Sequence, residues 1–202
     1  MNAYNNTRAK IGMPSNEPVY QYAPGSEETE KLIKALKEVK NKEYEIPLII
    51  GGKEIRNGDL GKVVCPHNHK HVLAKFHKAG EKEIKMAIEA SQKAWKEWQE
   101  FEWVDRAAIF QKAADLLSGK YRYLVNAATM LSISKNPFQA EIDAACELID
   151  FWRFNVYYTQ QIYAEQPLHN PKYIWNYLQN RPLEGFILAV TPFNFTAIAG
   201  NL

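Results

Sequence analysis

A chain of 202 residues, 46% hydrophobic and 24% charged, has the make-up of a folded globular protein, with length for one domain or a domain plus an appendage. Its 25 basic and 23 acidic residues nearly cancel, to a formal charge of +2, so there is no footprint for nucleic acid or an anionic membrane surface. No apolar stretch reaches the ~18–20 residues that span a bilayer, and the opening MNAYNNTRAKIGMPSNEP lacks the apolar core of a secretory signal.

Residues 1–25 hold Pro14, Pro18 and Pro24 with little periodicity, and read as an extended arm over the surface. Ser26 is a capping residue for the helix that follows. Glu27, Glu28 and Glu30 complement the dipole in its first turn, and Lys37, Lys40 and Lys42 suit its other end. Residues 45–79 read as strands and turns. Ile46 to Ile50 leads into Gly51-Gly52 and then Lys53 to Arg56, with Asn57-Gly58 and Gly61 marking a further turn. Val63-Val64-Cys65 and Val72 to Phe76 are strands joined by Pro66-His67-Asn68.

Helical spacing follows. Ile84, Ile88, Ser91, Trp95 and Trp98 fall at three- and four-residue steps. From Trp103 the steps continue through Ala107, Phe110, Ala114, Leu117, Tyr121, Leu124 and Ala128. They predict a buried stripe over about seven turns, with Gly119 as a point of interruption. Asn136 as cap, Pro137 at the first helical position and Gln139 two residues on predict another helix, running to about Ala164. Glu165 to Pro171 is a connection. Lys172 to Gln179 places Tyr173, Trp175 and Tyr177 on one face, as a strand seeking a partner does. Phe186 to Val190 is an unbroken apolar run between Gly185 and Pro192, the pattern of a strand buried on both faces of an α/β sheet.

Few residues could carry chemistry. At ~100° per residue, Phe138, Ile142, Ala145, Ile149 and Val156 form one arc of their helix, with Glu141, Leu148 and Trp152 on its flank. A carboxylate there must find a cation or hydrogen-bond donors, or take up a proton. It is either an acid satisfied by a neighbouring Arg, Lys or backbone N–H, or a functional group. Asn194 follows the apolar run, where open α/β sheets bind ligands. Its amide could donate to an oxyanion, or its side chain could cap the next helix. Without a Gly-x-Gly-x-x-Gly pattern, spacing alone does not argue for a nucleotide site. His67, His69, His71 and His77 invite a metal, but Pro66 to Asn68 reads as a turn and no acid or Cys cluster completes a ligand set, so none is expected. Two cysteines, Cys65 and Cys146, lack Cys-x-x-Cys spacing and indicate neither a disulfide framework nor a zinc cluster. Cys146 reads as a small buried hydrophobe, and a reducing compartment such as the cytoplasm is expected.

The stretch RPLEGFILAVTPFNFTAIAGNL resembles the first cofactor-domain strand of aldehyde dehydrogenases and the Asn-bearing loop after it. QAEIDAACELIDFWRFN (Gln139–Asn155) is similar to the matching helix of one branch, the L-glutamate γ-semialdehyde (1-pyrroline-5-carboxylate) dehydrogenases. YAPGS (Tyr22–Ser26), IIGGKEI and KAADLLSGKYRYLVNAATML are similar to that branch too. The likeness covers nearly the whole chain. Ser132-Ile133 departs from it, standing where a Gly-Gln-like pair is expected before Ser134-Lys135.

The resemblance implies an α/β fold: the N-terminal part of the aldehyde dehydrogenase fold, with helices, β-hairpin strands and the first strand of a Rossmann-like parallel sheet. Residues 1–25 would be an arm and 26–164 the helical and hairpin part of the cofactor-binding domain. Residues 165–183 would be a connection with an oligomerisation strand, and 184–202 the first strand and oxyanion loop. In the family a Cys thiolate adds to an aldehyde carbonyl, a hydride passes to NAD⁺, and water releases the acid. Asn194 matches the Asn whose amide steadies the oxyanion. Thr191, Pro192 and Phe193 match the loop lining the nicotinamide cofactor. Phe195 and Glu141 match substrate-pocket positions, with Glu141 facing the substrate α-ammonium and Phe195 its aliphatic chain. The nucleophilic Cys and the base Glu lie farther along in the family and are neither Cys65 nor Cys146. The 202 residues are therefore expected to be the N-terminal portion of a longer enzyme, inactive alone. At full length it is expected to be at least a dimer, with no metal, nucleic acid or membrane partner, in the cytoplasm or, in a eukaryote, the mitochondrial matrix. Two other readings stand beside this one: a different aldehyde substrate, and a truncated non-catalytic subunit pairing through 172–179.

Overall fold

The computed structural model describes residues 10–201, so expectations for residues 1–9 of the arm and for residue 202 lie outside the described residues. Helix α1 (Glu27–Lys40) begins where Ser26 Oγ accepts from the Thr29 N–H, and its acids and lysines sit at the ends the dipole favours. Three short strands follow: β1 (Tyr44–Ile46), β2 (Leu48–Ile50) and β3 (Lys53–Ile55). Gly51 (φ 56°) and Gly52 (φ 75°) are both left-handed, which closes β2 on β3 in the tight turn that only such residues form cheaply. β4 (Leu60–Cys65) and β5 (Asn68–His77) pair antiparallel, and β1 joins β5 in parallel on its other side. Gly61 is not in a turn, as the sequence predicts, but inside β4 opposite Phe76. A Cβ there would run into the Phe76 ring, so the glycine serves close packing across the strand pair.

The helical layer consists of α2 (Glu81–Trp98), α3 (Trp103–Leu116), α4 (Arg122–Ile133), α5 (Pro137–Ala140) and α6 (Glu147–Ala164). Leu32 and Val39 of α1 pack with Cys65, Leu73, Ala127 and Leu131 in one core cluster. Ala114, Leu117, Ala145, Leu148, Ile149 and Ile198 form a second. Among the described residues no helix is long and apolar enough to cross a membrane.

Two wide turns alter the predicted helix faces. Residues Leu117–Tyr121, around Gly119, form a π-helical turn between α3 and α4, and Glu141–Cys146 form another between α5 and α6. Each inserts a residue into the α-helical step and rotates everything after it. The buried stripe through Ala107, Ala114 and Leu117 therefore resumes at Arg122, Asn126 and Thr129. Tyr121 and Leu124, expected inside, are each 38% exposed. Glu141, expected on a flank, opens the second turn and has no exposed surface.

The sequence reads two C-terminal segments as strands, one seeking a partner and one opening a sheet. Neither 172–179 nor 186–190 pairs with another strand among the described residues. A strand is held by hydrogen bonds to a neighbour, and none lies alongside either segment. Their side chains face outward, with Tyr173 92%, Trp175 77% and Val190 86% exposed. From Asn194 the chain returns to the helices, where Ile198 is buried.

At the start of α5, Asn136 Oδ1 accepts from the Gln139 N–H at 2.9 Å and Gln139 Oε1 accepts from the Asn136 N–H at 3.1 Å. Asn136→Ala removes half of this reciprocal cap and is expected to cost about 1 kcal/mol, whereas Asn136→Gly loses only a few tenths. Urea midpoints of the two variants check the order.

Candidate active site

The π-helical turn Glu141–Cys146 faces two ways. On its inner side Glu141 meets Arg122, and neither side chain has exposed area. Arg122 Nη2 and Nε both donate to the Glu141 carboxylate, the latter at 3.1 Å. Nη1 donates to Glu17 Oε1 at 2.5 Å and Nη2 also to the Pro18 carbonyl at 2.6 Å. The guanidinium lies 3.9 Å from the centre of the Tyr20 ring. Glu141 accepts further hydrogen bonds from the Tyr20 N–H (3.0 Å), the Tyr22 hydroxyl (2.6 Å) and Asn126 Nδ2 (2.7 Å). The arm therefore threads a buried ionic network. It is also tied to α6, where Asp150 accepts from the Glu17 N–H and Gln160 exchanges hydrogen bonds with the Ile11 backbone.

Burial by itself would raise the Glu141 carboxyl. Hydrogen bonds from Arg122, Tyr22 and the Tyr20 N–H, with the Arg122 charge, outweigh it and hold the group below its ordinary value. Burial opposes the charge on Arg122, but the Glu141 carboxylate keeps the guanidinium firmly protonated. Burial and then the Glu141 carboxylate push the Tyr22 phenol well above its usual range. Cys146 Sγ lies 3.4 Å from Arg122 Nη2, yet burial and the Glu141 charge push the thiol up to about 12. It is a packed thiol, not an activated one.

For the role expected of Glu141 toward a substrate ammonium, this geometry leaves no free oxygen. Both of its oxygens are taken by protein donors, and its residue has no exposure. A ligand cation would have to displace Arg122 from a site without an opening.

On the outer side of the same turn Asp143 pairs with Lys135 Nζ, which also donates to the Asn194 carbonyl at 2.7 Å and lies 4.7 Å from the centre of the Phe195 ring. Thr129 and Thr196 share a hydroxyl hydrogen bond of 2.6 Å, and Trp152 Nε1 donates to the Asn201 carbonyl at 2.9 Å. Phe195 packs on the cluster around Leu148 and Ile149. The loop is therefore seated from Asn194 onward, while Thr191 and Pro192 are exposed and Phe193 is 94% exposed. Asn194 is half-buried, and among the described residues its amide has no hydrogen-bond partner. It caps no helix: the short 3₁₀ turn Ile198–Gly200 starts after Ala197 with no side-chain cap.

Other singled-out residues lie elsewhere. His67 bridges Cys65 Sγ (3.0 Å) and Ser134 Oγ (2.8 Å), and His77 bonds Glu45 (3.0 Å). Among the described residues no three His, Cys, Asp or Glu side chains gather as a metal site. A groove of about 890 Å³ lined by Trp95, Trp98, Trp103, Tyr163 and Phe186 lies apart from the Asn194 loop. Sequence reasoning missed Arg122, Lys135 and Asp143. The signal for Arg122 was one guanidinium in the apolar run YRYLVNAATML, with its partner 19 positions on, beyond the end of α4.

The sequence pattern of the Aldehyde dehydrogenase family matches residues 55–200. A probable delta-1-pyrroline-5-carboxylate dehydrogenase of Schizosaccharomyces pombe is 50% identical over 96% of this chain, which spans 35% of that protein. The mitochondrial delta-1-pyrroline-5-carboxylate dehydrogenase of Homo sapiens is 47% identical over 93% of this chain and 33% of its own. The crystal structure of the Mycobacterium tuberculosis delta-pyrroline-5-carboxylate dehydrogenase bound with NAD and cobalamin superposes with a TM-score of 0.94 at 44% identity, covering 98% of this chain and 37% of that one. The chain thus spans about 35% of the length of the curated relatives it matches.

Glu141→Gln keeps the shape of the pair and removes its charge. Loss of one partner of a buried ion pair costs on the order of 3–5 kcal/mol, and a large fall in the urea midpoint is expected. The sign with pH follows from the lowered carboxyl. Its stabilisation is fully present above the unfolded glutamate value of about 4.3 and is lost as pH falls through the lower folded value. Midpoints measured across that range should fall more steeply in the parent protein than in Glu141→Gln.

Proposed function

The chain belongs to the aldehyde dehydrogenase family, and we propose from this that it supplies the oxyanion-binding side of an NAD-dependent dehydrogenase that oxidises L-glutamate γ-semialdehyde, the open form of 1-pyrroline-5-carboxylate, to L-glutamate in proline breakdown. The observation that carries the reading is half-buried Asn194, whose amide has no hydrogen-bond partner among the described residues, on a loop seated against the helices. As a thiolate adds to the aldehyde carbonyl, the oxygen gains negative charge. A donor already in place lowers the energy of that state more than of the starting aldehyde. The thiolate comes from outside these residues, because Cys65 and Cys146 are both buried and the Cys146 thiol is pushed up to about 12.

Thr191, Pro192 and Phe193 face outward, which leaves that stretch of loop open to line a nicotinamide cofactor. Bound there, NAD supplies the hydride acceptor. Phe195, next to Asn194, packs on the aliphatic part of the substrate in this reading. The choice of substrate rests on the relatives and not on Glu141, whose carboxylate is closed. The outward Tyr173, Trp175 and Tyr177 support pairing of 172–179 with another chain, as a homo-oligomer of at least two subunits. The compartment is the cytoplasm, or the mitochondrial matrix in a eukaryotic source.

The test is kinetic. In the complete enzyme, 1-pyrroline-5-carboxylate should be oxidised with a kcat/KM well above that for simple aliphatic aldehydes. Asn194→Ala should cut kcat about 10²–10³-fold, the usual effect of losing one oxyanion donor. Equal use of all aldehydes would remove the substrate assignment, and unchanged turnover in Asn194→Ala would remove the role of the amide.

A further inference from the structure

We propose that Lys135 is a positioning residue for the oxyanion donor: its ammonium holds the Asn194 backbone carbonyl against the π-helical turn and so sets where the Asn194 amide points. The inference rests on the reading of Asn194 given above.

Three contacts converge on one ammonium. Lys135 Nζ donates to the Asn194 carbonyl at 2.7 Å, pairs with Asp143, and lies 4.7 Å from the centre of the Phe195 ring. The side chains of Lys135 and Asp143 are only 15% and 27% exposed, so solvent competes weakly for these bonds. The tie falls on residue 194 itself, at the boundary between two kinds of chain. On one side Phe193 is 94% exposed, and the apolar run before it has no ladder partner among the described residues. On the other, Phe195, Thr196 and Ile198 are held by the helices. Without the Lys135 bond, the backbone at Asn194 is held from one side only.

Local structure explains why the lysine reaches this point. Helix α4 ends at Ser134, whose φ of 60° is left-handed and uncommon for a residue with a Cβ. His67, on the turn between β4 and β5, lies 2.8 Å from Ser134 Oγ and holds it from outside the helix. The reversal separates α4 from the Asn136 cap of α5 and leaves Lys135 between them, opposite Asp143. The strained residue therefore precedes the lysine that the loop depends on.

The experiment is a mutant cycle in the complete enzyme. A donor must sit within about 2.7–3.1 Å of the oxyanion, and a misplacement of about 1 Å costs about 100-fold in rate. Lys135→Met is expected to lower kcat about 10- to 100-fold, with KM for the aldehyde and for NAD within about twofold. Lys135→Arg, which can still reach both the carbonyl and Asp143, should restore most of the loss. On an Asn194→Ala background, Lys135→Met should cost almost nothing further, because the donor it places is gone. If the Met variant is insoluble, Lys135→Gln keeps a neutral donor and should show a smaller loss of the same kind. A lower Tm with unchanged kcat would overturn the proposal, and so would a full, additive loss on the Asn194→Ala background. If Asn194→Ala itself leaves kcat intact, it is the oxyanion reading that fails, and the positioning role fails with it.

Discussion

The buried ion pair between Arg122 and Glu141 is the constraint around which the described residues are arranged. Taking two charges out of water costs several kcal/mol each, and attraction alone offsets this only when the remaining donors and acceptors are also satisfied. For the two ions they are: the guanidinium serves Glu141, Glu17 and the Pro18 carbonyl, and the carboxylate takes Tyr20, Tyr22 and Asn126 besides. Asn126 Oδ1 is buried with no partner among the described residues. A network of this kind favours the geometry in which both charges stay paired, and it penalises the alternatives. It therefore sets the path of the arm, which crosses the helices where Glu17, Pro18, Tyr20 and Tyr22 can reach the pair.

Both charges lie at departures from regular α-helix. The wide turn at Gly119 rotates α4 until Arg122 points inward, and the acid it meets is the first residue of the other wide turn. π-helical turns give up regular hydrogen bonding, and they recur where a side chain must be re-aimed for function. In this protein the second turn has two clients. Glu141 holds the arm inside, and two residues later Asp143 holds Lys135 and, through it, the Asn194 loop outside. A buried ionic core thus stands directly behind the loop that carries Asn194.

The other end of the chain has the opposite character. Between Tyr173 and Phe193 a series of large apolar side chains faces outward, without strand partners among the described residues. Proteins seldom leave so much apolar surface uncovered unless it meets something else. The shared likeness to dehydrogenases about three times as long accords with that.

What was legible in the sequence were the features decided within a few residues. Ser26 as a cap, Asn136-Pro137 opening a helix with Gln139 closing the box, and Gly51-Gly52 as a hairpin turn all follow from local geometry, and each stands as read. The stretch TPFNF (Thr191–Phe195) marked the loop, and with it the family. Periodicity placed the helices but failed on their faces beyond Gly119, because one inserted residue turns every later side chain by about 100° and the spacing carries no mark of it. The sequence also required that a buried Glu141 be compensated, without naming the partner. Its donors lie 15, 19, 119 and 121 positions away at Asn126, Arg122, Tyr22 and Tyr20. Only the packed chain decides which distant groups share a desolvated space, so the closing of Glu141 and the seating of Asn194 by Lys135 belong to the tertiary structure.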